Sequence, residues 1–247
     1  MLSRVRSLLR ASAAPLAALL VCALLSSPVH ADENASPAPE LRFSVPSGFA
    51  ELAPESELFR LSAEGAVAHG RLFRLFLPQD MERPHAEGRL HAVTRQVLIC
   101  GPEDQQAPLD RKSAELMARS AEGMFIGFAQ IPLRRDDSPE QKAVARAEAL
   151  RLSLEKGTPL LVDSLRTPSA YLHTCLIHFR MAEKPEKLFL PMALATALVP
   201  VKDSVLTVTV SSLLDGGDAE SHLAWVKKAA SDFADALAQG GRAKKKP

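Results

Sequence analysis

The sequence predicts an α+β fold, an antiparallel β-sheet flanked by helices. Two observations carry this. Four strand-patterned runs between residues 160 and 212 follow one another through short turns, and strands joined that way are antiparallel neighbours. An amphipathic helix follows them directly. Strands thus group with strands and helices with helices, which argues against a parallel α/β sheet.

The first thirty-one residues stand outside this fold. Arg4, Arg6 and Arg10 form a basic front, residues 11–25 an apolar run, and Val29-His30-Ala31 a small-residue cleavage pattern. That order is the pattern of a secretory signal peptide cleaved after Ala31. A periplasmic or secreted location is therefore expected. Cys22 follows Val21 inside the apolar run, so lipidation there is not expected. No later apolar run approaches the ~20 residues that cross a bilayer, so no transmembrane segment is expected after cleavage.

The elements then follow in order. Residues 32–40 are rich in Pro, Ala and Ser and form a flexible lead-in. Residues 41–45 alternate apolar and polar, a strand pattern ended by the turn Pro46-Ser47-Gly48-Phe49. Residues 57–62 and 71–77 are the next two expected strands, and Pro78 closes the second. A strand is expected over 90–100, with Arg95 and Gln96 interrupting its apolar face and Gly101-Pro102 stopping it. A polar loop over 103–108 leads to a helix from Asp110 to about Phe125, where Leu116/Met117, Ser120/Ala121 and Met124/Phe125 recur at helical spacing.

A second helix starts at Ser138-Pro139-Glu140-Gln141, which combines an N-cap serine, proline at the first helical position and a capping-box glutamine. Ala143, Ala147, Leu150 and Leu154 are its expected buried stripe, and Gly157 its stop. The four-strand meander comprises residues 160–165, 171–181, 187–199 and 205–212, with turns at 167–169, 183–186 and 202–203. Asp218 caps the closing helix, whose stripe is Leu223, Val226, Ala230, Phe233 and Leu237, with Trp225 at its edge. Residues 41–239 form one domain and 240–247 a basic flexible tail.

Charge narrows the partners. The full chain carries a formal net charge of +1. Losing three arginines with the signal peptide leaves −2, and setting aside Arg242, Lys244, Lys245 and Lys246 leaves a body near −6. An acidic body lacks the clustered cations that neutralise phosphates, so nucleic acid is excluded as a partner. The tail's four cations offer a weak contact to an anionic surface.

The opening Arg42-Phe43-Ser44-Val45-Pro46-Ser47-Gly48-Phe49, the late strands over 198–201 and 204–212, and the Trp225-bearing helix resemble the PsbP-like fold, shared by DcrB-type lipoproteins. The resemblance implies an α/β/α sandwich over most of residues 41–239. It also implies an accessory, assembly or partner-binding role without catalysis. Fold by itself transfers no function.

Among chemistry-bearing residues, His173 and Cys175 sit two apart on one strand, so they share a face with Tyr171, Ile177 and Phe179. A histidine and a thiolate on one face can ligate a metal or act as base and nucleophile. Two ligands do not make a metal site, and the apolar neighbours point to a packed core instead. His178 and Arg180 face the other way, toward a ligand, a sheet edge or a helix end. Cys100 and Cys175 remain after cleavage and are the pair an oxidising compartment could bridge. Ser153-Leu154-Glu155-Lys156 matches a Ser-x-x-Lys pattern but lies at a helix end without companion motifs. No nucleotide, zinc-protease or nucleophile-elbow motif occurs, and no cofactor is implied. The expectation is an exported, non-catalytic accessory or partner-binding protein. The alternative is a small periplasmic hydrolase or metal-binding protein using His173 and Cys175.

Overall fold

The computed structural model describes residues 41, 43–66, 71–88, 93–102, 116, 125–180, 189–202, 204–216 and 218–241. The signal segment, the lead-in, the loop over 103–108, the turn over 183–186 and nearly all of the helix expected over 110–125 lie outside these residues. Of that helix Leu116 is described, as helical and exposed. The basic side chains of the tail also lie outside.

The chain forms an α+β fold with a mostly antiparallel sheet. Its strands are β1 (Phe49–Glu51), β2 (Arg71–Pro78), β3 (Arg95–Gly101), β4 (Ala129–Gln130), β5 (Leu160–Arg166), β6 (Tyr171–Arg180), β7 (Phe189–Val201) and β8 (Ser204–Leu213). The order across the sheet is β1-β2-β3-β8-β7-β6-β5-β4. The pairing of β4 with β5 is parallel; the other pairings are antiparallel. The helices are α1 (Glu57–Ala66), α2 (Gln79–Ala86), α3 (Pro139–Lys156) and α4 (Ala219–Gly241). The expected meander is β5 to β8, and β8 then takes β3 as its second neighbour.

Alternation sorts the strands into two faces. On one, α4 buries Leu223, Val226, Ala230, Phe233 and Leu237, the expected stripe, each at 2 % exposure or less. Opposite them β7 presents Ala193, Ala195 and Ala197, all fully buried. Three small side chains on a central strand let a helix carrying Phe233 lie close. Phe233 stacks against Phe76 at 4.9 Å and Phe49 at 5.0 Å. The second face is split. Leu72, Leu75, Leu77, Leu98 and Cys100 pack under Leu58 and Phe59 of α1. Cys175, Ile177, Met192, Leu194 and Leu198 pack around Phe125.

The α3 cap forms as its sequence dictates. Ser138 Oγ accepts from Gln141 N at 3.2 Å and Gln141 Oε1 accepts from Ser138 N at 2.7 Å. Gly157 ends the helix at φ 64°. At the start of α4, Asp218 Oδ2 accepts from Ser221 N at 3.2 Å.

Four expectations need correction. Of the strand expected over 41–45, the described residues 41 and 43–45 are not a strand: Phe43 sets its ring on Phe76 and Phe233, at 6.1 and 6.4 Å. The ladder begins after the turn, at Phe49, with Gly48 at φ 88°. Residues 57–62 belong to a helix, because Leu58, Phe59 and Ser62 are buried at helical spacing and Ser56 Oγ caps Phe59 N at 3.2 Å. The buried line of α3 is Leu150 and Ser153, while Ala143, Ala147 and Leu154 are exposed. Finally, α4 runs through Gly241, two residues into the segment assigned to the tail. The short helix α2, with Met81 as its buried residue, had no sequence signal strong enough to predict it.

Candidate functional site

The chemistry-bearing side chains gather on the second face of β5, β6, β7 and β8. His173 and Cys175 share that face, as their spacing dictates, and both are buried, at 3 % and 1 % exposure. Their environments differ. Cys175 lies opposite Leu161 and Leu194 within an apolar cluster. Burial there pushes its thiol up to about 12, so at neutral pH it is protonated and a poor nucleophile or ligand. His173 instead stands directly across the ladder from Ser164, whose Oγ is 3.0 Å from its Nδ1. The Phe125 ring lies over the imidazole, with centroids 4.8 Å apart and planes tilted by 41°.

One partner of His173 is thus the hydroxyl of Ser164. Among the described residues no group of three or more His, Cys, Asp or Glu could hold a metal ion. The disulfide is corrected. No disulfide joins Cys100 to Cys175. Cys100 lies on β3 and Cys175 on β6, with β8 and β7 between them. Three strand spacings put them at least ~14 Å apart, beyond the reach of an S–S bond.

Ser164 is exposed although its partner is buried. It was not singled out in the sequence, yet the hairpin could have found it. Residues 167–170 make the connection, Arg166 pairs with Tyr171, and counting back two places sets Ser164 against His173.

From His173 the face continues into a polar row. Thr196 is the register partner of His173 on β7, and Thr209 that of Thr196 on β8. Both are almost fully buried, and their hydroxyls have no hydrogen-bond partner among the described residues. Gln96 Oε1, one strand further on, is in the same condition.

Two other serine–histidine contacts lie on the α4 side. Ser153 Oγ donates to the Thr158 carbonyl at 2.6 Å and lies 3.1 Å from His178 Nε2. The hydroxyl has one proton, so the imidazole must be the donor in the second contact. Ser153 thus closes the end of α3 and is not activated, which disposes of the Ser-x-x-Lys match. His178 lies under a helix end, one of the placements expected for it; the side chains of Phe179 and Arg180 lie outside the described set. Ser212 Oγ is 2.8 Å from His222 Nδ1, and His222 Nε2 is 3.9 Å from Asp215 Oδ1. The order Ser–His–Asp is suggestive, but Ser212 is fully buried and no substrate reaches it.

An ion cluster fixes α3 and α4 to β5. Arg146 holds Glu220 through two bonds of 2.6 and 2.8 Å, and Asp163 accepts from Lys227 at 3.0 Å. Glu220 holds the guanidinium protonated more firmly than usual. This bidentate geometry is the strong form of a surface ion pair, and Asp163, which also lies 3.5 Å from Arg146 Nη1, ties in the strand that carries Ser164.

Among the described residues the outer edge of the sheet is only partly covered. β4 pairs with Leu160 and Leu161. Among the described residues nothing pairs with the outer edge of residues 162–166 of β5. Ile126 and Leu133, on either side of β4, and Leu165 of β5 are exposed at 86 %, 49 % and 42 %.

No family model matches the chain, and searches of curated proteins and of solved structures return no significant match. No helix among the described residues is long and apolar enough to cross a membrane.

Proposed function

We propose that this chain is an exported accessory protein, delivered to the periplasm or beyond by its N-terminal segment, whose task is to bind a protein partner. The edge of β5 over residues 162–166, which none of the described residues pairs with, carries the reading. An edge strand with unpaired N–H and C=O groups is a template for one more strand, and strand addition is a standard way to hold an extended segment. The two-residue β4 already begins that ladder, and a partner segment would continue it along residues 162–166. Exposed Leu165 supplies an apolar anchor. The resemblance to PsbP-like accessory proteins points the same way. The four cations at the C-terminus add a weak attraction to anionic surfaces.

A pull-down tests this. Immobilised mature protein should retain a defined partner from periplasmic extract, and Leu165→Lys, which sets a charge on the edge, should lose it. Identical retained proteins for the two baits would sink the reading.

A further inference from the structure

We propose that Ser164 and His173 form a nucleophile–base pair able to take an acyl group from a carboxylic ester with an apolar acyl chain. Three serine hydroxyls meet an imidazole among the described residues. The proton of Ser153 is committed to the Thr158 carbonyl, and Ser212 is fully buried. Ser164 is exposed, and its hydroxyl has no other hydrogen bond among the described residues.

The geometry supplies the hydroxyl and the base of acyl transfer. An Oγ to Nδ1 distance of 3.0 Å lets the imidazole, in its Nε2–H tautomer, receive the hydroxyl proton. The Phe125 ring against His173 holds the imidazole in place, and β6, locked between β5 and β7, fixes its backbone. Among the described residues nothing pairs with the outer edge of residues 162–166 of β5, and the backbone N–H groups of an edge strand are the kind of donor that a developing oxyanion needs. Phe125, Phe128 and Leu161 form an apolar wall on the same face, which suits an apolar acyl chain.

The step balances without a further reagent. Ser164 Oγ bonds to the carbonyl carbon as its proton passes to His173 Nδ1. The tetrahedral intermediate collapses, the ester C–O bond breaks, and the leaving alkoxide takes that proton. Water then attacks the acyl-serine, gives a proton to His173, and Ser164 departs carrying it. The inference does not depend on the edge-binding reading, because a small ester reaches Ser164 with no partner present.

A fluorophosphonate probe, which modifies activated serines covalently, tests it on the intact mature protein. Peptide mapping by mass spectrometry should place the adduct on Ser164. Its rate should exceed that at exposed Ser47 by on the order of 100-fold, the scale of general-base assistance. Ser164→Ala should abolish the adduct. His173→Gln, checked for folding by circular dichroism, should slow labelling by a similar factor. If that variant does not fold, the comparison of Ser164 with Ser47 in the unaltered chain still decides. An adduct absent from Ser164, or formed there no faster than on Ser47, would overturn the proposal, and unchanged labelling in folded His173→Gln would remove the base.

Discussion

Ser153 on α3 and His178 on β6 meet at 3.1 Å while the serine gives its proton to Thr158, so a helix end is pinned to the sheet through a neutral imidazole. Desolvation lowers the affinity of His178 for a proton in the folded state. The unfolded chain therefore binds more protons as pH falls below about 6.5, the ordinary histidine value. Stability from this group is full above that pH and is lost as pH falls through the depressed folded value. Chemical denaturation of wild type and His178→Gln from pH 7.5 to 5 should show a steeper loss in wild type. Parallel curves would contradict the assignment.

Cys175 gives the opposite slope. Its thiol is raised to about 12 in the folded state, while an unfolded cysteine ionises near 8.5. Stability from this group is full below about pH 8.5 and declines as pH rises toward the folded value. A thiol-reactive dye at pH 8 should leave Cys175 unmodified in the native protein and modify it in denaturant. Rapid native labelling would show that the cluster around Phe125 opens readily.

Gly101 ends β3 with no room for a side chain: a Cβ there would collide with the ring of Phe73. Gly101→Ala should cost about 1–3 kcal/mol, the usual penalty of overpacking. Equilibrium unfolding in urea measures it, and an unchanged midpoint would mean that Phe73 moves aside at no cost.

Thr196 and Thr209 face each other with buried, unpartnered hydroxyls. Replacing both with valine removes two desolvated polar groups and keeps their shape. The pair should be neutral or stabilising, by up to ~1 kcal/mol per site. Clear destabilisation would show that the hydroxyls have partners in solution.

Much of the fold was legible from the meander onward. Strands β5 to β8, the Ser138 capping box and the α4 stripe follow from period, turn residues and caps, which are local. The errors fell where local pattern was ambiguous. Leu58 and Phe59 fit a strand until Ser56 is noticed as an N-cap, and Ala143 and Ala147 are too small to reveal which side of α3 is buried. Phe43 stands outside the ladder because a tertiary site between Phe76 and Phe233 outweighs strand propensity. At the candidate site the shared face of His173 and Cys175 was legible, since alternation fixes it. The partner of His173 was not singled out, because it comes from cross-strand register. Burial, which sets the state of the Cys175 thiol, is a property of the packed molecule.

On the proposed function, the part of β5 that none of the described residues pairs with receives a partner. A photo-crosslinking residue placed at position 165 tests it most directly, with a second placed at Val144, which is 70 % exposed on α3, as control. After irradiation in periplasmic extract, position 165 should yield one discrete adduct and position 144 none. Equal crosslinking at both positions, or none at 165, would contradict the account.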